Sequence, residues 1–246
     1  MMAPPFEKGT GVGIQDDVKT AVDNIIATPW NKRTGQVVPS TDTVALADGA
    51  VEVKATYLYA DMAKSSEAAH FLNKPVAAKV FRSYLNAATR IIKKFEGEIR
   101  SFDGDRVMGI FMGHRKNTNA ARAALGINWA IYKVLRPKLQ AKWSDIEDHY
   151  VISHGVGVDT GEAWIVRGGV RGSNDLVSIG SAPNVAAKLA SLRRGPHLYI
   201  TDAVYDVILN EAKIANDGRN MWERSSNLEV ALTQYDVMAS TWWKAP

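Results

Sequence analysis

An α/β sandwich, with a mostly antiparallel sheet and helices packed on it, is the fold this sequence predicts. Three observations predict it. Alternating apolar residues at 51–61 and 99–111 read as strands, the second folded back at an Asp103-Gly104 turn. Between and after these runs, apolar residues recur at steps of three and four, the period of helices with one buried face. A further pair of strand-like runs at 151–166 then interleaves with more helix, so strands and helices alternate along the chain. The 246 residues, 46% of them hydrophobic, suffice for a sizeable core.

In chain order, residues 1–10 read as disordered, and Val18, Val22, Ile25 and Ile26 mark a short amphipathic helix that ends before Pro29 and packs on the rest of the protein. Residues 30–50, rich in Thr, Pro, Gly and Asp, read as a long connection, which sets 1–50 apart as an N-terminal segment from a main domain at 51–246 with a C-terminal extension. The first core strand carries Val53, Ala55, Tyr57 and Tyr59 and stops at Asp61. Pro75 starts a helix with Val76, Val80, Tyr84, Ala88, Ile91, Ile92 and Phe95 on one face. After the hairpin, a helix capped near Asn117 or Thr118 carries Ala121, Ala124, Leu125, Asn128, Trp129, Tyr132 and Leu135 and is interrupted at Pro137.

Residues 151–158 and 163–166 flank Asp159-Thr160-Gly161 as strand, turn, strand, with Gly155 and Gly157 allowing close backbone approach. Gly168, Gly169 and Gly172 make a flexible loop before a short strand at 176–179. Ser181 caps a helix with Pro183 in its first turn, which places Asn184 and Lys188, four apart, on one face. A strand at 197–200, a helix at 202–210 and an alternating strand at 228–237 precede Trp242-Trp243. There is no repeat of solenoid length and no low-complexity segment.

Composition excludes several functions. With no cysteine there is no disulfide, thiolate metal site or cysteine nucleophile. The net charge is +4, but 30 basic residues are scattered among 26 acidic ones rather than gathered in a run, so no nucleic-acid partner is expected. The N-terminus lacks a basic region followed by an apolar one, and each long apolar stretch is broken by charge, so the expectation is a cytoplasmic protein without a membrane partner. His70, His114, His154 and His197 have no metal-ligand spacing and read as structural or exposed. Trp164 reads as core or interface, and Trp242 and Trp243 as buried against the domain.

The chemistry concentrates at the strand ends. A carboxylate closing an apolar strand is poorly placed for packing, and two such strands side by side bring Asp61 and Asp105 to one edge, where they can share metal ions. Asp103, beside Gly104, reads as a turn residue only.

Four stretches then carry a resemblance. Tyr-Leu-Tyr-Ala-Asp61-Met, Gly104-Asp105-Arg-Val-Met-Gly-Ile-Phe, Gly155-Val-Gly-Val-Asp-Thr-Gly161 and Ile179-Gly-Ser-Ala-Pro-Asn184-Val-Ala-Ala-Lys-Leu resemble, in order and spacing, the motifs of class III nucleotidyl cyclases over residues 51–201. The resemblance implies a ferredoxin-like catalytic fold acting as a head-to-tail homodimer, with two active sites in the interface. Asp61, the Met62 backbone carbonyl and Asp105 of one chain would hold two Mg²⁺ or Mn²⁺ ions. Asn184 and Lys188 of the other would orient the ribose and stabilise charge on the α-phosphate. Ser65 and Ser66, at the helix after Asp61, would cradle the β- and γ-phosphates.

Two departures from the family pattern matter. Where the family commonly has Arg four residues after the Asn, this chain has Lys188, a point charge without a bidentate fork, so that the rate is lower or Arg193 or Arg194 helps. Adenylate cyclases resembling this pattern carry Lys four residues before the second metal Asp and Asp seven before the Asn, whereas Ser101 and Val177 stand here. The Glu and Cys typical of guanylate cyclases are absent too. The whole sequence is similar to the bacterial pyrimidine (uridylate and cytidylate) cyclases of Pycsar antiphage systems, which implies cyclisation of UTP, or CTP, to a product acting on a separate effector, with Tyr57 and Arg100 filling or reading a smaller base pocket. The alternatives are an adenylate cyclase, disfavoured by Ser101 and Val177, and a catalytically silent nucleotide-binding dimer, disfavoured by retention of both carboxylates.

Overall fold

The structure, a computed structural model, describes residues 13–246. Helix α1 (Ile14–Ala27) and strand β1 (Asn31–Thr34) precede the long strand β2 (Gly49–Ala63). A short helix α2 (Ser65–Phe71) leads to α3 (Lys74–Lys94), which Asn73 caps by accepting from the Val76 amide and which Pro75 enters in its first turn. Strands β3 (Glu98–Asp103) and β4 (Arg106–Phe111) form the hairpin, turning at Gly104 with φ +58°. Then come α4 (Lys116–Trp129), a π-helical turn (Ala130–Leu135), α5 (Arg136–Lys142) and α6 (Ile146–His149). Strands β5 (Ser153–Val170) and β6 (Ser173–Ile179) are followed by α7 (Ser181–Ala190) and β7 (Leu198–Thr201). Short helices α8 (Asp202–Tyr205) and α9 (Asn210–Lys213) and strands β8 (Glu223–Arg224), β9 (Leu228–Val230), β10 (Thr233–Tyr235) and β11 (Val237–Ser240) complete the chain.

The main sheet runs β3-β4-β2-β5-β7-β11-β8, with β1 beside the start of β2 and β6 on the second half of β5. It is antiparallel except where β1 meets β2 and β5 meets β7. Strand β2 is its spine, registered against β5 from Ala50–Val166 to Ala63–Ser153 and against β4 from Thr56–Phe111 to Asp61–Arg106. Its period of two divides the interior. Leu58, Ala60 and Met62 face α3 and α4, where Val80, Tyr84 and Ile92 are buried. Val53, Ala55 and Tyr57 face the other side, with Ala182 and Ala186 of α7. Each large aliphatic or aromatic side chain so buried contributes about 1.5–3 kcal/mol.

Helix α7 lies close on β5 because two glycines leave room. A Cβ added at Gly155 would fall 2.1 Å from the Ala190 carbonyl oxygen, and one at Gly157 would fall 2.2 Å from that of Ala186.

Several local expectations are corrected. Asp159-Thr160-Gly161 is no turn: β5 passes straight through it, paired with Tyr57, Thr56 and Ala55, and its polar groups are satisfied inside the fold. The Thr201 hydroxyl donates to Asp159 at 2.6 Å, and Thr160 meets Thr56 at 3.0 Å. Pro137 does not interrupt the helical run. It sits in the first turn of α5, where a missing N–H is tolerated, after the π-helical turn has reset the helix. Helix α4 begins at Lys116 with Arg115 at its cap, while Asn117 accepts from Thr56 and Thr118 from the Leu209 amide.

Residues 30–50 contain β1, paired in parallel with the start of β2, and are therefore more than a connection. Gly168 and Gly169 belong to β5, and β6 starts at Ser173, so only Arg171 and Gly172 form the turn. Ser181 is the first residue of α7 and makes no capping bond. The helix expected at 202–210 is α8 followed by a separate α9. The strand expected at 228–237 is a hairpin, broken by positive φ at Ala231 and Leu232. Helix α1 forms as expected, but none of its residues is buried. The expectation for residues 1–10 lies outside the described residues.

Candidate active site

The edge predicted to carry the chemistry is assembled by β2 and the β3–β4 turn. The strand expected to stop at Asp61 continues to Ala63, but Asp61 stands opposite Arg106 in the register and the Met62 amide donates to the Asp105 carbonyl oxygen at 3.3 Å, so the two aspartates adjoin where the β3–β4 turn meets β2. Asp61 is 7% exposed, whereas Asp105 is half-buried. A nearly buried carboxylate needs charge partners, and Asp61 has two. Arg106 Nη2 donates to its Oδ2 at 3.4 Å and Arg193 Nη2 to the same oxygen at 3.2 Å. Beneath the pair, burial first and then the charges of Asp61 and Asp105 push the Tyr84 phenol well up, and its buried hydroxyl finds no hydrogen-bond partner.

Arg193 reaches Asp61 because of local packing. Gly155 is the cross-strand partner of Asp61, and the site of its absent Cβ lies 2.8 Å from Arg193 Nη1. The same guanidinium donates to the Ala190 and Leu192 carbonyls at 2.7 and 3.0 Å, closing the C-terminal end of α7. Arg194 points elsewhere, toward the Ser226 and Asn227 carbonyls at 3.4 Å.

The donor set suits a hard divalent cation: two carboxylates at one edge, one of them nearly buried and held by positive charge, beside the Met62 backbone. No cluster of three His, Cys, Asp or Glu side chains occurs among the described residues. A cation held here would take its remaining oxygens from phosphates and water, as magnesium sites do.

The other predicted residues divide into two places. Asn184 and Lys188 lie on the exposed face of α7, and neither makes a side-chain hydrogen bond or ion pair among the described residues. Neither is bonded to Asp61 of its own chain; Arg193, three residues past the end of α7, is. Tyr57 is fully buried on the Asp61 side of β2, with its hydroxyl unpartnered. Burial pushes that phenol up. Arg100 crosses from β3 to an ion pair with Asp175 on β6, the strand that carries half-exposed Val177, and Ser101 is half-buried beside it. Ser65 and Ser66 open α2, directly after Lys64 in the left-handed region at φ 58°.

Sequence reasoning missed Arg106 as a partner of Asp61. Its position beside Asp105 on a strand registered with β2 was the available signal. Among the histidines, His70 and His114 are exposed, and His154 is buried and stacks on His197 at 5.4 Å. Trp164 is partly buried and donates to Glu52 at 3.0 Å. Trp242 packs against the core, and Trp243 is 44% exposed.

A uridylate cyclase of Rhodovulum sp. (strain MB263) is 43% identical over 238 residues, 96% of this chain and 99% of that protein. The chain belongs to the uridylate cyclase family. A uridylate cyclase of Xanthomonas perforans is 37% identical over 87% of this chain and 91% of its own length. No family model matches the chain. Among solved structures, a bacterial light-regulated adenylyl cyclase superposes with a TM-score of 0.65 at 23% identity, over 79% of this chain and 53% of its own. The chain thus spans about half of that larger protein, and the likeness establishes the fold. The fold is that of the class III cyclases, as the motifs at Asp61, Asp105 and Asn184 implied, and this family member is a nucleotidyl cyclase. No helix among the described residues is long and apolar enough to cross a membrane.

Proposed function

We propose that this cyclase converts UTP to 3′,5′-cyclic UMP and pyrophosphate, as a cytoplasmic homodimer whose two active sites each draw on both chains. The observation that carries the reading is the junction of Asp61 and Asp105 at the ends of paired β2 and β4, in a chain 43% identical to a uridylate cyclase along almost its whole length. Two Mg²⁺ or Mn²⁺ ions held by Asp61, Asp105 and the Met62 carbonyl would lower the pKa of the ribose 3′-hydroxyl and clamp the phosphates.

The chain's own groups supply the rest. Asn184 orients the ribose for in-line attack on the α-phosphorus, and the Lys188 ammonium offsets the charge that builds there. Both side chains stand free on α7, as groups serving a neighbouring chain's site should. Ser65 and Ser66 hold the outer phosphates. Tyr57 and Arg100 shape the base pocket, with Ser101 and Val177 where purine cyclases place their base-reading side chains. Exposed Phe102, Val177 and Ile179 supply apolar surface for the dimer. CTP is the second pyrimidine substrate the site would take, and the cyclic product acts on a separate effector in antiphage defence.

The test replaces Asp61 or Asp105 with Ala and measures turnover and sedimentation together. The expected result is loss of product from an intact dimer; undiminished turnover in either variant would sink the two-metal assignment.

A further inference from the structure

The basic residues that look scattered in the sequence are gathered by the fold. Neither 74–94 nor 116–142 contains a single Asp or Glu, so α3, α4 and α5 form a helical layer with cations only. On α3, Lys79, Arg82 and Arg90 follow a helical stripe; on α5, Lys138 and Lys142 are one turn apart. The two stripes and Trp143 line one open cleft of about 630 Å³ between the helices. Lys79 Nζ stands 5.9 Å from the centre of the Trp143 ring.

No carboxylate lines the cleft, although Asp145 and Glu147 follow closely in the chain. None of the five cations takes part in an ion pair among the described residues. Elsewhere on the same layer, by contrast, Arg115 and Arg122 share Glu211. Five like charges brought together repel one another, and an arrangement that leaves them without counter-charge favours an anionic occupant.

The shape narrows the choice. Residues 79–90 extend about 16 Å along the helix axis, so the charges form two rails rather than a point of convergence. Rails suit successive phosphates of a chain better than a single phosphate cluster, and a positive groove lined in part by a half-exposed aromatic ring, here Trp143, is the arrangement that binds a single strand by stacking a base. A flat lipid surface would not enter the concavity.

We propose that this cleft binds a run of phosphodiesters, a single strand of nucleic acid with a base against Trp143. The site is separate from the Asp61–Asp105 edge, which lies at the ends of β2 and β4, and does not depend on the reaction assigned there. The catalytic groups are not among its lining residues.

Fluorescence anisotropy with the full chain and a labelled 12-nucleotide single-stranded RNA, as a function of salt, tests it, with UTP and inorganic polyphosphate as competitors. The triple variant Lys79→Gln, Arg82→Gln, Lys138→Gln should lose at least tenfold in affinity, and its log–log salt slope should be shallower by about 2, following about 0.7 per phosphate contact. A control with the same change in charge, Lys19→Gln, Lys54→Gln, Arg171→Gln, should lose less than threefold. Trp143→Leu should weaken RNA several-fold and leave polyphosphate unchanged, which separates a nucleic-acid site from a bare anion site. Equal loss in both triple variants, absence of RNA binding to the wild type, polyphosphate bound while Trp143→Leu leaves RNA unaffected, or displacement of RNA by UTP alone at equal charge would overturn the proposal.

Discussion

Replacing Gly157 with Ala tests how tightly α7, the helix that carries Asn184 and Lys188, is tied to the sheet. The added Cβ would lie 2.2 Å from the Ala186 carbonyl oxygen, 2.4 Å from the Ala190 amide nitrogen and 2.6 Å from Leu189 Cβ. Ordinary contacts sit at roughly 3.5 Å, so α7 must lift by about 1 Å. Overpacking of this kind costs about 1–3 kcal/mol, toward the upper end here because two of the three obstacles are backbone. Loss of the glycine's freedom in the unfolded chain offsets about 0.4–1 kcal/mol of that. The net, about 2 kcal/mol, lowers the melting temperature by roughly 4–8 °C in a domain of this size.

With Asn184 and Lys188 in the roles proposed for them, activity should fall further than stability, because a 1 Å misplacement of catalytic groups costs on the order of a hundredfold in rate. Gly161→Ala on the same strand is the comparison. Its Cβ would meet only the Ala182 methyl, at 3.3 Å, and the melting temperature should stay within about 2 °C of wild type. Calorimetry and steady-state turnover read both effects. A Gly157→Ala protein that melts and turns over like wild type would refute the argument that glycine sets the α7–β5 distance.

Other predictions follow from the site. Mixing inactive Asp61→Ala and Asn184→Ala chains should restore about a quarter of wild-type activity, since half the dimers are mixed and each mixed dimer has one intact site; no recovery after subunit exchange would contradict sites built from two chains. Arg193→Gln removes a cation bonded to Asp61 at 3.2 Å, and titration with Mn²⁺ alone should show affinity raised by roughly two- to fivefold; an unchanged or weaker affinity would argue against Asp61 as the ligand. Asp159 is held above its ordinary range, at about 6 against 3.8, mainly by burial. The stability its protonated form contributes is complete below pH 3.8 and lost as pH rises through about 6. Asp159→Asn, which stays neutral, should therefore exceed wild type by about 3 kcal/mol in denaturation at pH 8 and match it near pH 3.5, whereas a constant difference would assign the effect to packing.

What was legible in the sequence was local and periodic. Val51 to Tyr57 alternates cleanly, and the apolar face of α3 repeats at three and four, so a single strand and a single helix could each be read without the rest of the fold. Asp61 stood out because a carboxylate in an apolar strand has no packing role, although β2 runs two residues beyond it. The turn expected at Asp159-Thr160-Gly161 failed for the opposite reason. These residues have turn chemistry, but Thr201 and Thr56, 42 and 104 positions away, satisfy them inside a continuous strand.

The same limit hid the environment of Asp61. Arg193 meets it only because Gly155 admits the end of α7, a tertiary contact with no periodic trace in the chain. The five cations of the α3–α5 cleft were likewise visible one by one. Only the packing of two helices places Lys79, Arg82, Arg90, Lys138 and Lys142 around one space.

The central claim is that this nucleotidyl cyclase selects a pyrimidine. Incubating the purified chain separately with UTP, CTP, ATP and GTP, with Mn²⁺ or Mg²⁺, and identifying the products by mass spectrometry tests it directly. Cyclic UMP is the expected main product, with cyclic CMP at most secondary. Cyclic AMP or cyclic GMP as the main product would leave the fold and the family in place and contradict the base pocket drawn around Tyr57, Arg100, Ser101 and Val177.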